Sequence, residues 1–155
     1  MADRCSIADA MAVLGGRWAV LVLRDLVYGR HRFSDVLAAT GAPRDVLTTR
    51  LRELEQAGLV RRQQYSEHPP RDGYHLTTAG EELAPVLLFL ADWGSRWGGH
   101  ADRPAPVDFR HDDHHLAPRL ACGTCGSPVA PGHVSARSTA GLWEGDAPLG
   151  GPDAG

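Results

Sequence analysis

The chain of 155 residues has no lysine, only three cysteines and no apolar run of about 18 residues. Without such a run we expect no transmembrane helix, and the N-terminus shows no pattern typical of a signal peptide. An odd number of cysteines argues against a framework of disulfide bonds. The sequence therefore predicts a soluble, cytoplasmic protein without a membrane partner.

Charge is spread unevenly along the chain, although the net charge is only −3. The first 99 residues hold 12 arginines and 12 acidic residues, whereas the last 56 hold 4 arginines and 7 acidic residues. A protein that binds nucleic acid without sequence preference usually carries a large positive charge. Any contact with DNA must therefore come from local groups of arginine side chains.

Two helices are predicted near the N-terminus. A short amphipathic helix over residues 5–14 should end at Gly15 and Gly16, because glycine tolerates the left-handed conformation that often ends a helix. Residues 17–28 are apolar on nearly every side, as expected for a helix buried at the centre of a small domain. The side chains expected to contribute most of this burial are Trp18, Leu21, Val22 and Leu26.

Two further helices follow, and a short turn joins them. The third includes Phe33 and should end at Gly41, and the fourth covers about residues 44–57. Pro43 suits the first position of the fourth helix, and Gly58 suits the residue just past its end. Two helices joined by such a tight turn predict a helix-turn-helix.

The fourth helix has one apolar and one polar side. Leu47, Leu51 and Leu54 recur at helical spacing. The polar side carries Asp45, Thr48, Thr49, Arg52 and Gln56. Such a side can lie in a DNA major groove, where arginine binds guanine and threonine contacts the thymine methyl group. The alternative is an ordinary surface helix with a chance mixture of polar side chains.

After the fourth helix, residues 59–65 and 74–77 are predicted as two short β-strands, because they are rich in valine, tyrosine and threonine. Residues 66–73 between them form the predicted loop of a hairpin. A helix-turn-helix followed by a hairpin is a winged helix. The hairpin tip offers Arg71 for the minor groove or phosphates, and Arg61 and Arg62 add charge at its base.

A long helix is predicted from a capping box at Thr78–Glu81 to about Trp97, with a kink at Pro85. It carries more apolar surface than one small domain requires. The predicted dimer interface consists of Leu83, Leu87, Leu90, Trp93 and Trp97. The alternative is that these side chains pack on the core of the same chain.

Residues 99–155 differ in composition, with 9 glycines and 7 prolines and no helical periodicity. We expect a largely irregular tail that is disordered after about Ser138. Cys122 and Cys125 form a CxxC motif, and with His111 and His115 they are candidate ligands for Zn²⁺ within residues 111–133. A redox-active dithiol and an inert tail are the alternatives, so no cofactor is required.

Many short motifs between about residues 4 and 98 resemble those of one protein family. They are Cys5, Leu14-Gly-Gly-Arg-Trp18, Arg32-Phe33-Ser34, Leu47-Thr48, Leu51-Arg52-Glu53-Leu54-Glu55, Gly58-Leu59-Val60, Pro69-Pro70-Arg71, Tyr74, Leu76-Thr77, Gly80 and Trp93-Gly94. Together they resemble the HxlR-type winged-helix transcriptional regulators, which are related to the MarR group. The resemblance implies a homodimer that binds double-stranded DNA sequence-specifically and regulates transcription.

The resemblance also implies roles for individual residues. Arg44, Thr48, Thr49 and Arg52 are the implied contacts to bases and phosphates, with Arg71 on the wing. The chain departs from the family in Ala42-Pro43, where family members often place a serine or similar cap. Cys5 matches a position at which some members carry a redox-sensing thiol. Plain packing of Cys5 is the alternative, since free cysteine is often buried.

These observations predict a mainly helical α+β fold. Residues 1–98 form a winged helix-turn-helix domain with a long C-terminal dimerisation helix, and residues 99–155 form the irregular tail. The predicted function is that of a transcriptional regulator that binds a palindromic operator as a homodimer. A small molecule or a redox change is the possible effector that controls its binding to DNA. The alternative is a metal- or thiol-based sensor or interaction module acting through the CxxC tail. An enzyme is disfavoured, because the tail is too poor in apolar residues to enclose a catalytic pocket.

Overall fold

A computed structural model describes residues 5–67, 70–99, 106–139 and 145–148 of the chain. The chain divides into two compact units, residues 4–102 and residues 103–155, which are described separately below as the N-terminal unit and the tail unit.

The N-terminal unit is mainly helical and contains one two-stranded antiparallel sheet. Its elements in chain order are α1 (Ser6–Leu14), α2 (Arg17–Val27), α3 (Phe33–Thr40), α4 (Arg44–Gln56), β1 (Val60–Glu67), β2 (Pro70–Leu76), α5 (Thr78–Glu81) and α6 (Ala84–Trp97). This order confirms the predicted winged helix-turn-helix, in which α3 and α4 form the helix pair and β1 and β2 form the wing.

Helix α2 lies at the centre of the core and packs against α3 and α4. Its Val22, Leu23 and Leu26 are almost completely inaccessible to solvent, as are the three leucines of the α4 stripe. The prediction for α2 was correct for Val22 and Leu26, whereas Trp18 and Leu21 are only half-buried. Leu23, which was not among the predicted residues, is completely buried.

One charged side chain is fully buried in this core. Asp25 on α2 has no accessible surface, and its two carboxylate oxygens form ion pairs with Arg24 at 3.0 Å and Arg30 at 2.9 Å. The backbone N–H of Arg30 also donates to the carbonyl of Asp25. A buried carboxylate requires partners of this kind, because an unpaired charge in an apolar interior is strongly destabilising.

Glycine residues end α1 and α4 in the left-handed conformation. Gly15 has φ +63° and donates its N–H to the carbonyl of Met11, which confirms the predicted end of α1. Gly58 has φ +74° and follows Ala57, the last residue of the α4 terminus. At the other end of α4, Pro43 lies just before the first helical residue rather than within the helix.

The wing is longer than predicted. In the register of the hairpin, Val60 lies opposite Leu76 and Ser66 lies opposite Arg71, with an irregularity between Gln64 and Ser66. Ser66 and Arg71 therefore belong to paired strands, and the predicted loop over residues 66–73 was too long. Residues 68 and 69, which connect the strands, lie outside the described residues.

The predicted single helix after the wing is two helices. Thr77, and not Thr78, caps α5, since its hydroxyl oxygen accepts a hydrogen bond from the N–H of Gly80. Helix α5 ends at Glu81, and α6 begins at Ala84 with Pro85 in its first turn. The proline thus separates two helices, because it tolerates the first turn but not the interior of a helix.

Helix α6 turns part of its apolar side towards the core and leaves part exposed. Leu83 and Leu87 are half-buried and pack against the core of their own chain. Such packing was the alternative to dimerisation that the sequence left open. The other side has four large residues at helical spacing, each more than half exposed: Val86, Leu90, Trp93 and Trp97. We call these four residues the α6 stripe.

The tail unit contains short hairpins, so it is less irregular than predicted. β3 (Arg110–His111) pairs with β4 (His114–His115), and β5 (Ser135–Arg137) pairs with β6 (Asp146–Pro148). The pairing of β6 contradicts the expectation of disorder after Ser138 for residues 145–148. The other residues beyond position 139 lie outside the described residues.

No single helix in the described parts of the chain is long and apolar enough to cross a membrane. Helices α1 and α2 would suffice together by length and composition, but they are bent by 78° relative to each other.

Candidate nucleic-acid interface

The polar side of α4 is accessible along the length of the helix. Thr49, Arg52 and Gln56 are exposed, because the three leucines on the opposite side hold the helix against the core. Arg52 has no hydrogen-bond or ion-pair partner among the described residues. Its guanidinium group is therefore free to bind an external acceptor.

Two other predicted contact residues of α4 already have local partners. The Thr48 hydroxyl donates to the carbonyl of Arg44 at 2.8 Å. The Arg44 guanidinium carbon lies 5.1 Å from the centre of the Phe33 ring, so a cation–π contact holds it at the junction of α3 and α4. Both residues remain close to the accessible side of the helix.

The first turn of α4 has no side-chain cap. Pro43 occupies the capping position and has no side-chain oxygen, as expected from the departure at Ala42-Pro43. The first backbone N–H groups of a helix point along its axis and carry the positive end of the helix dipole. These uncapped groups can donate hydrogen bonds to a phosphate oxygen, and the exposed Arg44 adds a positive charge beside them.

The arginines of the wing differ in the contacts that their side chains make within the chain. Arg71 is exposed on β2, and Arg61 on β1 donates to the Gln63 side chain at 2.8 Å. Arg62 is bound within the wing: it donates to the Tyr74 hydroxyl at 3.1 Å and lies 3.9 Å from the Glu55 carboxylate. The hydrogen bond to Tyr74 raises the pKa of Arg62, so this side chain is held as a charged structural group.

The sequence did not indicate Arg32 as a contact residue, but the structure brings it to the wing. Its guanidinium carbon lies 5.2 Å from the centre of the Tyr65 ring, and its backbone pairs with Gly73 as an isolated β-bridge. The side chain is exposed. The pairing of Arg32 with Gly73 spans 41 residues and cannot be predicted from the local sequence. The only signal in the sequence was the position of Arg32 beside Phe33 in the motif Arg32-Phe33-Ser34.

A histidine pair lies where α2 leads towards the wing. The rings of His31 and His75 stack with centroids 4.2 Å apart, and His31 Nδ1 lies 3.0 Å from the Tyr74 carbonyl oxygen. Burial lowers the pKa of His75, and the neighbouring His31 and Arg61 lower it further. These rings line an open cavity of about 470 Å³ together with Leu26, Val27 and Leu76.

The three cysteines are all free thiols. Cys5 is exposed immediately before α1, so it does not pack in the core of the single chain. Cys122 is half-buried and Cys125 is exposed in the tail unit. Among the described residues no three histidine, cysteine or acidic side chains come together as metal ligands, so His111 and His115 do not complete a site with the two cysteines.

Comparison with known families and proteins agrees with this architecture. A model of the HxlR-like helix-turn-helix family matches residues 13–102. An uncharacterized HTH-type transcriptional regulator of Mycobacterium tuberculosis H37Rv is 36% identical over 132 residues, which cover 84% of this chain and 83% of the relative. That alignment leaves about 25 residues of the chain outside it, so it includes roughly residues 26–130 and extends into the tail unit.

Solved structures are similar as well. PA1607, an inferred transcription factor, superposes with a TM-score of 0.71 at 27% identity, covering 83% of this chain and 91% of that one. The redox regulator HypR in its reduced form has a TM-score of 0.57 at 29% identity, covering 63% of this chain and 98% of that one. The similarity to HypR thus accounts for about the length of the N-terminal unit.

Proposed function

The chain belongs to the HxlR-like helix-turn-helix family, whose members are DNA-binding transcription regulators rather than enzymes, and on this basis we propose how it binds its operator. It acts as a homodimer on a palindromic site. Helix α4 enters the major groove, and the wing formed by β1 and β2 contacts the flanking DNA.

The polar side of α4 is the observation that carries this proposal. It combines the guanidinium of Arg52, which has no partner in the described parts of the chain, with the hydroxyl and methyl groups of Thr48 and Thr49. Arginine can donate two hydrogen bonds to the O6 and N7 atoms of guanine, and threonine can contact the methyl group of thymine. A helix with this side accessible and its leucine side buried has the form of a recognition helix.

A single copy of α4 reads too few base pairs for a specific operator. Two copies related by a two-fold axis place their recognition helices about 34–36 Å apart, one turn of DNA, and so read a palindrome. Wing residues Arg61 and Arg71 then add contacts to phosphates or the minor groove beside each half-site. Arg32, which stacks on Tyr65 of the wing, extends the same positive surface.

The α6 stripe supports dimerisation. Its four large apolar side chains are each more than half exposed, and Phe89 between them is also exposed. A contiguous exposed apolar patch of this kind usually marks a site of protein association. The proposed dimer interface consists of Val86, Leu90, Trp93 and Trp97. It no longer includes Leu83 and Leu87 of the predicted interface, because these two leucines face the core of their own chain.

The recognition side is tested by Arg52→Ala. We expect specific binding to weaken by about 1–3 kcal/mol and the base preference at one position to relax. Arg50→Ala is the matched control, because Arg50 is on the same helix but is half-buried and paired with Glu53. Fluorescence anisotropy with operator variants measures both properties.

Unchanged operator affinity in Arg52→Ala would show that this side of α4 does not face the bases. Arg71→Ala, in contrast, should weaken binding to all sequences alike and reduce the slope of log affinity against log salt by about 1. A footprint on DNA upstream of the protein's own gene supplies the operator sequence for these measurements.

The dimer is tested by Leu90→Glu, which places a charge in the middle of the α6 stripe. We expect the variant to sediment as a monomer while the wild type sediments as a dimer, because burial of an unpaired carboxylate is unfavourable. Val107→Glu, at an exposed apolar residue of the tail unit, should leave the dimer intact. A wild-type protein that is monomeric and does not bind DNA at low ionic strength would refute the proposal as a whole.

A second role, redox sensing at Cys5, is favoured by the exposure of this thiol. It is supported by the similarity to HypR, which is itself a redox regulator. Peroxide or quinone treatment should then change the DNA affinity of the wild type and leave that of Cys5→Ser unchanged. Identical gel shifts for treated and untreated protein and for Cys5→Ser would exclude this role.

A further inference from the structure

The two cysteines of the tail unit lie in a tightly hydrogen-bonded turn, which we call the cysteine knuckle (residues 120–129). The backbone N–H of Gly126 donates to the carbonyl of Cys122 at 2.7 Å, and Gly126 takes the left-handed conformation at φ +72°. At the base of the turn, Cys122 donates to Ser127 at 2.9 Å and Val129 donates to Leu120 at 2.8 Å. The knuckle is therefore a closed loop.

This turn brings the two thiols together. A hydrogen bond between residues four apart forms a single helical turn, in which side chains three residues apart lie roughly 5–6 Å from each other at Cβ. Cys122 and Cys125 are three residues apart in this turn, so their side chains lie on the same side of it. A disulfide needs its Cβ atoms about 3.5–4.5 Å apart, so closing one requires the two ends of the turn to move towards each other by about 1–2 Å.

The Cys122 sulfur also receives hydrogen bonds from the backbone. The N–H groups of Cys125 and Thr124 both point at it, and together with the Cys125 thiol they lower the pKa of Cys122 to about 7. A thiolate, rather than a thiol, is the nucleophile in reactions of cysteine. Cys122 is half-buried at the start of the turn and Cys125 is exposed at its end, so the two thiols can react one after the other within the same turn.

We propose that the cysteine knuckle is a redox-active dithiol that a hydroperoxide converts into the Cys122–Cys125 disulfide. The Cys122 thiolate attacks the terminal peroxide oxygen, the O–O bond breaks, and the departing alkoxide takes a proton to become an alcohol. Cys122 is then a sulfenic acid. The Cys125 thiolate attacks its sulfur, the S–O bond breaks, and water leaves with the proton released by Cys125.

The net reaction converts two thiols and one hydroperoxide into a disulfide, an alcohol and water. A structural zinc site, the other chemistry open to a CxxC motif, needs four ligands. The described residues bring no third histidine, cysteine or acidic side chain to the pair. The contacts within the knuckle therefore support reaction of the two thiols with each other.

The experiment uses the full chain with Cys5→Ser, so that the two knuckle thiols are the only ones present. After treatment with hydrogen peroxide, trypsin releases residues 120–137 as one peptide that contains both cysteines. We expect this peptide to be lighter by two hydrogen atoms, and dithiothreitol should reverse the change. The disulfide should form faster than free cysteine is oxidised under the same conditions, because the second thiol is held in the same turn.

Two variants separate the roles of the cysteines. With Cys125→Ser, oxidation should stop at a sulfenic acid on Cys122 that dimedone traps. With Cys122→Ser, the rapid phase should disappear. If neither variant differs from the parent, or if the parent forms no disulfide, the proposal is wrong. Purified protein that holds zinc and becomes reactive only after chelation would likewise overturn it in favour of a metal site.

Discussion

Helices α4 and α6 each carry an apolar stripe at helical spacing, but only one of these stripes is covered by the chain itself. Leu47, Leu51 and Leu54 of α4 are at most 1% exposed, whereas Leu90 and Trp97 of α6 are 53% and 69% exposed. The difference lies in the surroundings, since α4 packs against α2 while this side of α6 faces outwards. The same periodicity thus supports a core in one helix and a surface for association in the other.

The largest effect that separates the two stripes should come from leucine-to-alanine changes. Leu51→Ala removes a fully buried side chain and leaves a cavity, so we expect the free energy of unfolding to fall by about 2–5 kcal/mol. Leu90→Ala should change it by less than about 1 kcal/mol in dilute protein, because an exposed side chain gains little on folding. Urea unfolding measures both values.

Protein concentration sharpens this contrast. If the α6 stripe mediates dimerisation, the wild type becomes more stable as its concentration rises, since association stabilises the folded chain. Leu90→Ala should show a weaker dependence, whereas the loss in Leu51→Ala should be present at every concentration. Equal losses for the two variants in dilute protein would mean that the stripes do not differ as described.

A smaller effect concerns Thr77, which connects the end of α4 to the start of α5. Its hydroxyl donates to the Gly58 carbonyl at 2.5 Å and accepts from the N–H of Gly80. Thr77→Ala removes both interactions and should lower the free energy of unfolding by about 1 kcal/mol, while Thr77→Ser retains the hydroxyl and should lose less. Thr78→Ala is the matched control, and a loss at Thr78 equal to that at Thr77 would argue against this cap.

The smallest effect should come from protonation of His75, which lies on β2 two residues before Thr77. Burial, His31 and Arg61 lower its pKa in the folded protein, so the unfolded chain binds the proton more tightly. The contribution of His75 to stability is therefore lost as the pH falls below about 6.5. The drop in unfolding free energy from pH 7 to pH 5 should be smaller in His75→Gln, and an identical drop in both proteins would contradict this role.

The sequence predicted the elements that depend on local patterns. The leucines of α4 and the glycines at positions 15, 41 and 58 indicated where helices pack and end, and all three glycines take the left-handed conformation. The polar side of α4 followed from the same periodicity. The order of the first four helices and the presence of a wing were predictable for this reason, whereas the division of the last helix into α5 and α6 was not.

Features that depend on a distant partner were not predictable. Periodicity grouped Leu83, Leu87 and Leu90 together, but only the position of the core shows that the first two face it. The capping box was predicted to start at Thr78, but Thr77 is the cap, and its hydroxyl also donates to the carbonyl of Gly58, 19 residues earlier in the chain. The wing strands extended past the predicted loop because pairing across the hairpin stabilises residues whose own preferences favour a turn.

The buried carboxylate of Asp25 also restricts how the protein can move. Rotating α2 relative to the segment that follows it would separate Asp25 from Arg30 and leave the buried carboxylate with one of its two arginine partners, which is unfavourable in an apolar environment. Helix α2 should therefore act as a fixed axis, and adjustments to the shape of DNA should arise in the wing and at the break before α6. Amide hydrogen exchange that is slowest in α2 would agree with this view, whereas early exchange there would contradict it.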